Sequence, residues 1–282
     1  MELTQEQIKA LKVIEIDMLR VFIDICKKEN IRYFLLGGTA LGAVRHKGFI
    51  PWDDDIDVGL PREDYKKFLK VVNKYLPEYY FIQNAFTDKN FPFNFSKMRD
   101  SRTTFVETTC QNIKMNHGVY IDIFPIDGYS SSKISQWVFK FQNRLLTRRI
   151  IEVFVLDNSF KTLRSKTVSN ILRIIYPDYR KAVMKRHKLY QRFNYQACEY
   201  AANFCGAWAE REIMLKSCFG EGVTGEFEGM EVMLPEKIDQ YLTNVYGDYM
   251  TLPPEEKRVG HHYVVVADFE NPYTNYIEGD KK

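Results

Sequence analysis

The chain predicts an α/β fold of the α+β kind: a mixed sheet with helical cover, joined to a basic helical subdomain. Three observations predict it. Helix-period and strand-like segments alternate through the first 130 residues. Four aspartates, Asp53, Asp54, Asp55 and Asp57, crowd at the start of one predicted strand, a short way after Gly37-Gly38. From Lys133 to Arg192 the pattern turns helical and basic. Fifteen Lys and Arg stand there against three acids, although the whole chain carries only +3.

The elements follow in order. Thr4 and Gln7 form a capping box, and apolar residues at helical spacing from Ile8 to Ile25 predict a first helix ending near Asn30. Tyr33 to Leu36 is a short apolar run stopped by two glycines, a buried strand. Thr39 to Arg45 predicts a short helix, broken by Gly48 and Pro51. Ile56 to Leu60 is a second strand, after which Pro61 opens a helix to about Tyr75. Further strands are expected at Tyr79–Gln83, Phe93–Met98, Thr103–Glu107 and Val119–Phe124, the last closed by Pro125, with Asp127 as a turn residue. Glu226 to Leu234 reads as a strand or hairpin arm. Pro235 begins a helix through Tyr246 that Gly247 ends, and the residues from Asn271 on fray. The resulting division is a core over 1–130, a basic helical subdomain over 131–221, and a segment over 222–282 that returns to the core.

The bulk composition narrows the function classes. The chain has 282 residues, 45% of them hydrophobic and 27% charged, with 20 Phe and 18 Tyr, so a large aromatic core is expected. No run of 18 apolar residues exists, and MELTQEQIKA lacks the order of a signal peptide. A cytoplasmic protein is expected. Cys26, Cys110, Cys198, Cys205 and Cys218 are scattered and odd in number, which predicts reduced thiols rather than a disulfide or zinc framework. The near-balanced charge and the lack of a reader module argue against a nucleic-acid partner.

Like charges repel, so the crowded aspartates call for a cation. On a regular strand Asp55 and Asp57 share one side, with Cα atoms about 6.6 Å apart, and can converge on one ion. Mg²⁺ suits such a pair, since it takes one or two carboxylates plus substrate phosphates, and Mn²⁺ can stand in its place. Asp54 then faces away, and the side of Asp53 depends on where the strand starts. The competing readings are a solvated acidic turn, a calcium loop and the D-x-D of a sugar-nucleotide glycosyltransferase. A calcium loop counted from Asp53 would need glycine at Val58 and a closing Glu at Asp64.

Gly37-Gly38-Thr39 ends a strand and opens a helix, an arrangement that lets backbone approach a phosphate. Thr39 can cap the helix or bond the phosphate. Arg45, His46 and Lys47 are phosphate or acceptor contacts, or else an exposed helix end. Lys97 and Arg99 alternate on one strand and either reach the site or decorate an edge. Trp52 can face a quaternary ammonium or pack the turn. Asp122, flanked by Ile121 and Ile123, needs a partner, which a metal supplies. His261-His262 stay open between a surface pair, an acceptor contact and a metal ligand. Together these features point to an enzyme acting on a nucleotide.

At GGTALGAVRHKGFIPWDDDIDVGLPREDY, YIDIFPID, LPEKIDQYLTNVYGDYM and PPEEKR the chain resembles the LicD family, with fukutin-related proteins as distant relatives. The resemblance implies a nucleotidyltransferase-like mixed-sheet core. It implies transfer of phosphocholine from CDP-choline, or of a related alcohol phosphate such as ribitol phosphate, to a sugar hydroxyl of a surface glycan, with release of CMP. It makes Asp55 and Asp57 metal ligands and Asp122 the third carboxylate, which binds the ion or takes the proton of the attacking hydroxyl. The segment from about Ser131 to Glu221 carries little of the match.

Two other function classes stand beside this one. One is nucleotidyl transfer to a small molecule with release of pyrophosphate, and the other a non-catalytic membrane-associated binder. Ile134, Trp137, Val138, Phe141, Leu145 and Arg148-Arg149 mix apolar and basic residues at helical spacing. Residues 133–192 thus either contact anionic lipid at the inner face of the cell membrane, where a lipid-linked glycan acceptor would lie, or present a solvated basic face.

Overall fold

A computed structural model describes residues 3–152, 163–258, 260 and 263–277. His261, His262 and Lys161 lie outside the described residues. In chain order the elements are α1 (Gln5–Glu29), β1 (Phe34–Leu35), α2 (Gly37–Arg45), β2 (Asp57–Pro61), α3 (Arg62–Val71), β3 (Tyr80–Gln83), β4 (Ser96–Asp100), β5 (Thr104–Glu107), β6 (Val119–Tyr129), α4 (Lys133–Ile151), α5 (Leu163–Ile175), α6 (Tyr179–Tyr190), β7 (Tyr200–Ala202), β8 (Ile213–Leu215), β9 (Val223–Phe227), β10 (Met230–Leu234), α7 (Ile238–Tyr246), β11 (Val264–Asp268) and α8 (Thr274–Ile277).

The central sheet is mixed. Its order is β1-β2-β6-β4-β3, and β7 and β8 extend it from the far end of β6. Among the described strands only β2 and β6 pair in parallel, with Asp57 beside Asp122. The expected α/β mixed sheet with helical cover is therefore the observed one. Strand β6 does not stop at Pro125, as the proline suggested; it runs 11 residues to Tyr129. Pro125 pairs with Leu60 on one side, and on the other it falls where β4 has ended and β7 has not begun. Its missing N–H thus interrupts no ladder there. Asp127 is consequently not a turn residue. It is buried in the strand and accepts two hydrogen bonds from Arg62, from Nε at 2.6 Å and Nη2 at 2.5 Å.

Helix α1 starts where the capping box predicts. Gln7 N–H donates to Thr4 Oγ1, and Thr4 N–H donates back to Gln7 Oε1. Asn30 closes it in the left-handed region at φ 49°. The face carrying Leu11, Met18, Leu19 and Phe22 is buried against the sheet, and Phe22 meets Tyr33 edge-on at 5.2 Å. Each such side chain stabilises the fold by roughly 1.5–3 kcal/mol.

Strands β9 and β10 form a hairpin whose turn, Glu228-Gly229, has φ of 50° and 72°, the two positive values that a type I′ turn requires. Helix α7 begins at Ile238 rather than Pro235, and Gly247 caps it at φ 75°. The tail is not wholly frayed, since Thr274–Ile277 is helical.

The expected helices over 133–192 are α4, α5 and α6. The stretch after them carries β7 and β8, which no sequence pattern announced. A second aromatic cluster of Tyr129, Phe139, Leu146, Ile150 and Tyr190 joins α4 and α6 to the end of β6. All five cysteines are free thiols.

Candidate active site

The turn after β1 and the start of β2 are bonded together. Leu36 N–H donates to Asp57 O at 3.0 Å, and Asp57 N–H donates to Thr39 Oγ1 at 2.8 Å. Gly37 takes φ +51°, and its N–H donates to the Tyr241 hydroxyl at 2.9 Å. A Cβ on Gly37 would lie 3.0 Å from Asp57 Oδ2, and one on Gly38 would lie 2.3 Å from Asp53 Oδ2. The glycines are therefore needed twice, for the backbone conformation at Gly37 and for the close carboxylates at both positions.

These residues floor a cleft of about 900 Å³. Asp53, Asp55, Asp57, Glu107, Asp122, Glu212 and Asp248 line it, against Arg45, Lys97 and Lys257. Among the described residues, seven acids face three cations, an excess of carboxyl groups. Strand β2 begins at Asp57, so Asp55 precedes it rather than alternating along it. Carboxylate oxygens of Asp53, Asp54 and Asp55 lie within 4.8 Å of one another. Asp57 and Asp122 sit side by side on adjacent strands.

The electrostatics follow from this crowding. Lost solvation raises the Asp57 carboxyl well above the usual range, and Asp55 and Asp122 raise it further. Asp57 keeps part of its surface open to the cleft, so the rise reflects the enclosing walls and acids rather than complete exclusion of water. Asp122 is pushed up to about 6 by burial, against the opposing pull of Lys97. The Lys97 ammonium is 3.1 Å from Asp122 Oδ1 and 3.8 Å from Glu107 Oε2, and it stands over the Tyr120 ring. Asp122 Oδ1 is in ion-pair range of that lysine yet receives no aligned hydrogen bond. A hard divalent cation fits this all-oxygen, acid-rich set, which Lys97 neutralises only in part.

Of the residues singled out in the sequence, Gly37, Gly38, Arg45, Trp52, Asp55, Asp57, Lys97 and Asp122 line the cleft together. Thr39 is buried behind it, its hydroxyl accepting from Asp57. Arg45 donates to Tyr249 O at 2.8 Å and through Nε to His46 Nε2 at 3.0 Å. His46 is thereby turned to Arg45, and burial and that charge lower its pKa. Lys47 is exposed on the following turn, outside the cleft. Arg99 is fully buried and points to Gln83 Oε1 and Gly118 O, away from the cleft. The strand that carries Lys97 and Arg99 is internal, not an edge.

Other lining residues went unread. Trp208 and Tyr246 meet at 5.0 Å with planes 72° apart. Glu212 is buried in the cleft wall and accepts from Trp208 N–H at 3.0 Å. The signal for Tyr241 and Tyr246 was the LPEKIDQYLTNVYGDYM segment. Nothing in the sequence pointed to Glu107, Trp208 or Glu212.

Comparison with known proteins agrees with this arrangement. The family described as LicD/FKTN/FKRP, nucleotidyltransferase domain, matches residues 30–148. The lipopolysaccharide cholinephosphotransferase LicD of Haemophilus influenzae is 30% identical over 253 residues, which cover 88% of this chain and 92% of that protein. The human ribitol 5-phosphate transferase FKRP is 44% identical over 45 residues, 16% of this chain and 9% of its own length. With a relative matched along nearly its whole length, and the matched segments meeting at one acidic cleft, the chain belongs to the LicD family.

Proposed function

We propose that the protein is a LicD-type phosphotransferase that moves phosphocholine, or a related alcohol phosphate, from a CDP-alcohol to a sugar hydroxyl of a cell-surface glycan. The glycan would be a teichoic acid, lipopolysaccharide or capsule precursor, and CMP would leave. The observation that carries this reading is the cleft floor, where Asp57 and Asp122 are adjacent in register beside a glycine turn.

Asp55, Asp57 and Asp122 would hold Mg²⁺, or Mn²⁺. The ion would supply charge neutralisation at the transferred phosphoryl group and the departing CMP. Gly37 and Gly38 leave room for the donor phosphates beside the carboxylates. Arg45, held by its bond to Tyr249 O, orients one of them. Asp122, raised by burial and held beside Lys97, offers the carboxyl group that the ligand and proton-acceptor roles would use. Trp52 and the Trp208–Tyr246 corner offer aromatic faces to a trimethylammonium group.

No described helix is long and apolar enough to cross a membrane. We place the enzyme in the cytoplasm, peripheral at the inner membrane face through α4, whose Ile134, Trp137 and Phe141 are exposed among basic residues.

The test is incubation with Mg²⁺, CDP-choline, CDP-ribitol or CDP-glycerol, and simple amino sugars. CMP should appear, with CDP-choline the best donor, and Asp57→Asn should lower the rate about 10²- to 10³-fold while the circular dichroism spectrum stays unchanged. Pyrophosphate in place of CMP, or near-normal turnover in the variant, refutes the reading.

A further inference from the structure

A second cavity of about 680 Å³ adjoins the acidic cleft. The two share Phe93, Phe95, Cys205 and Gly206 in their walls. Their charge is opposite. Among the described residues, Lys140, Arg144, Arg148 and Arg186 line the second cavity, against Glu210 alone. Lys140, Arg144 and Arg148 are four residues apart on α4, so they form one row along the wall.

The four cations differ in commitment. Arg186 is buried and bonds Asn94, Thr147 Oγ1 and Pro92 O, so it belongs to the floor. Arg148 donates to Ser169 Oγ at 3.1 and 3.0 Å. Arg144 is exposed. Lys140, itself half-buried, meets the mostly solvated Glu210 at 2.7 Å. Such a pair contributes little to stability, so an incoming dianion can displace the carboxylate. Behind the cations Tyr129, Phe139 and Tyr190 are buried in the second core cluster, while the half-buried rings of Phe93 and Phe204 line the cavity as apolar surface that a sugar ring can pack on.

We propose that this cavity is the acceptor subsite and that it takes a phosphate-bearing sugar, the phosphate lying on the α4 cations and the ring against Phe93 and Phe204. The inference rests on the transferase reading and adds the acceptor's chemical class. The donor diphosphate would need the ion that the cleft acids hold, whereas the acceptor phosphate finds fixed side-chain cations in the neighbouring cavity, so the two anions have separate partners on either side of the shared wall. In the transfer the acceptor oxygen bonds to the phosphorus that carries the alcohol. The bond from that phosphorus to the CMP oxygen breaks, and the hydroxyl proton passes to a carboxylate of the cleft.

The probes are N-acetylglucosamine 1-phosphate and unphosphorylated N-acetylglucosamine. By calorimetry without donor, the phosphosugar should bind at least tenfold more tightly than the neutral sugar. Lys140→Glu with Arg144→Glu should remove that advantage, and Lys140→Gln with Arg144→Gln should reduce it, with unchanged thermal midpoints. In steady state with CDP-choline, the Glu pair should raise KM for the phosphosugar at least tenfold and leave KM for CDP-choline unchanged. Equal binding of both sugars to the wild type, or an undiminished preference in the Glu pair, overturns the proposal. Pelleting with phosphatidylglycerol vesicles that the Glu pair abolishes, while phosphosugar binding is the same in both proteins, assigns the cations to a lipid surface and also overturns it. Charge-dependent phosphosugar binding without any CMP release would sink the transferase reading and leave the anion cavity standing.

Discussion

Glu212 is buried in the wall of the cleft, and loss of water pushes its carboxyl up to about 7 despite hydrogen bonds from Trp208 N–H and Asn203. A carboxyl raised in the folded state favours folding at low pH. The native state holds the extra proton between the ordinary value of 4.5 and about 7, so stability falls as pH rises through that window. The shift corresponds to about 3 kcal/mol at most. Glu212→Gln should therefore gain stability over the wild type at pH 8, with the gain vanishing below pH 4.5, as read from urea midpoints at several pH values. A variant less stable than the wild type at pH 8 would sink this account. Gly38 makes a second case. Its Cβ would sit 2.3 Å from Asp53 Oδ2, so Gly38→Ala must displace that acid. Turnover should drop about 10²-fold, the scale expected of a misplacement near 1 Å, with little loss of thermal stability. Full activity in Gly38→Ala would mean that the position of Asp53 is irrelevant.

Among the elements, β6 ties the molecule together. Its first half holds Asp122 between β2 and β4, and its second half reaches β7 and the aromatic cluster through Tyr129. The buried Arg62–Asp127 pair pins α3 to this strand. Asp127→Ala would leave a buried guanidinium without its partner, and should cost about 3–5 kcal/mol in a denaturant titration. A loss below about 1 kcal/mol would show that water reaches Arg62 freely. The elements also show which parts of the fold the sequence disclosed. Helix α1 was readable because its capping box and apolar stripe are local. Strands β2 and β6 were readable because their carboxylates interrupt apolar runs. The length of β6 was not, because a proline is harmful or harmless according to which strands flank it. β7 and β8 are three residues each and take their pairing from the far end of β6, so no periodicity of their own marks them. Likewise alternation pairs Asp55 with Asp57, whereas Asp57 finds its neighbour across the sheet in Asp122. Burial of Arg99 and exposure of Lys47 are tertiary facts that alternation along a segment cannot supply.

For the whole molecule, segregation of charge is the governing feature. A chain of net charge +3 holds, among its described residues, a cleft of seven acids and three cations beside a cavity of four cations and one acid. Divalent ion binding to the cleft should raise the melting temperature, with about 2.7 kcal/mol of added stability when the ion is at 100 times its Kd. A thermal shift series over Mg²⁺ and Mn²⁺ reads this directly, and no shift at millimolar concentration in the wild type would argue against an ion site.

Lys97 carries a consequence of its own. Seated on Asp122, near Glu107 and over the Tyr120 ring, it acts as a resident counter-charge that the polypeptide brings with it. Assembly of the architecture should then not wait for an ion, in contrast to small domains that collapse only around zinc. Treatment with EDTA should leave an idle but intact protein that resumes turnover as soon as magnesium returns, without any refolding lag. A cell briefly starved of divalent ions would keep its stock of this enzyme in reserve.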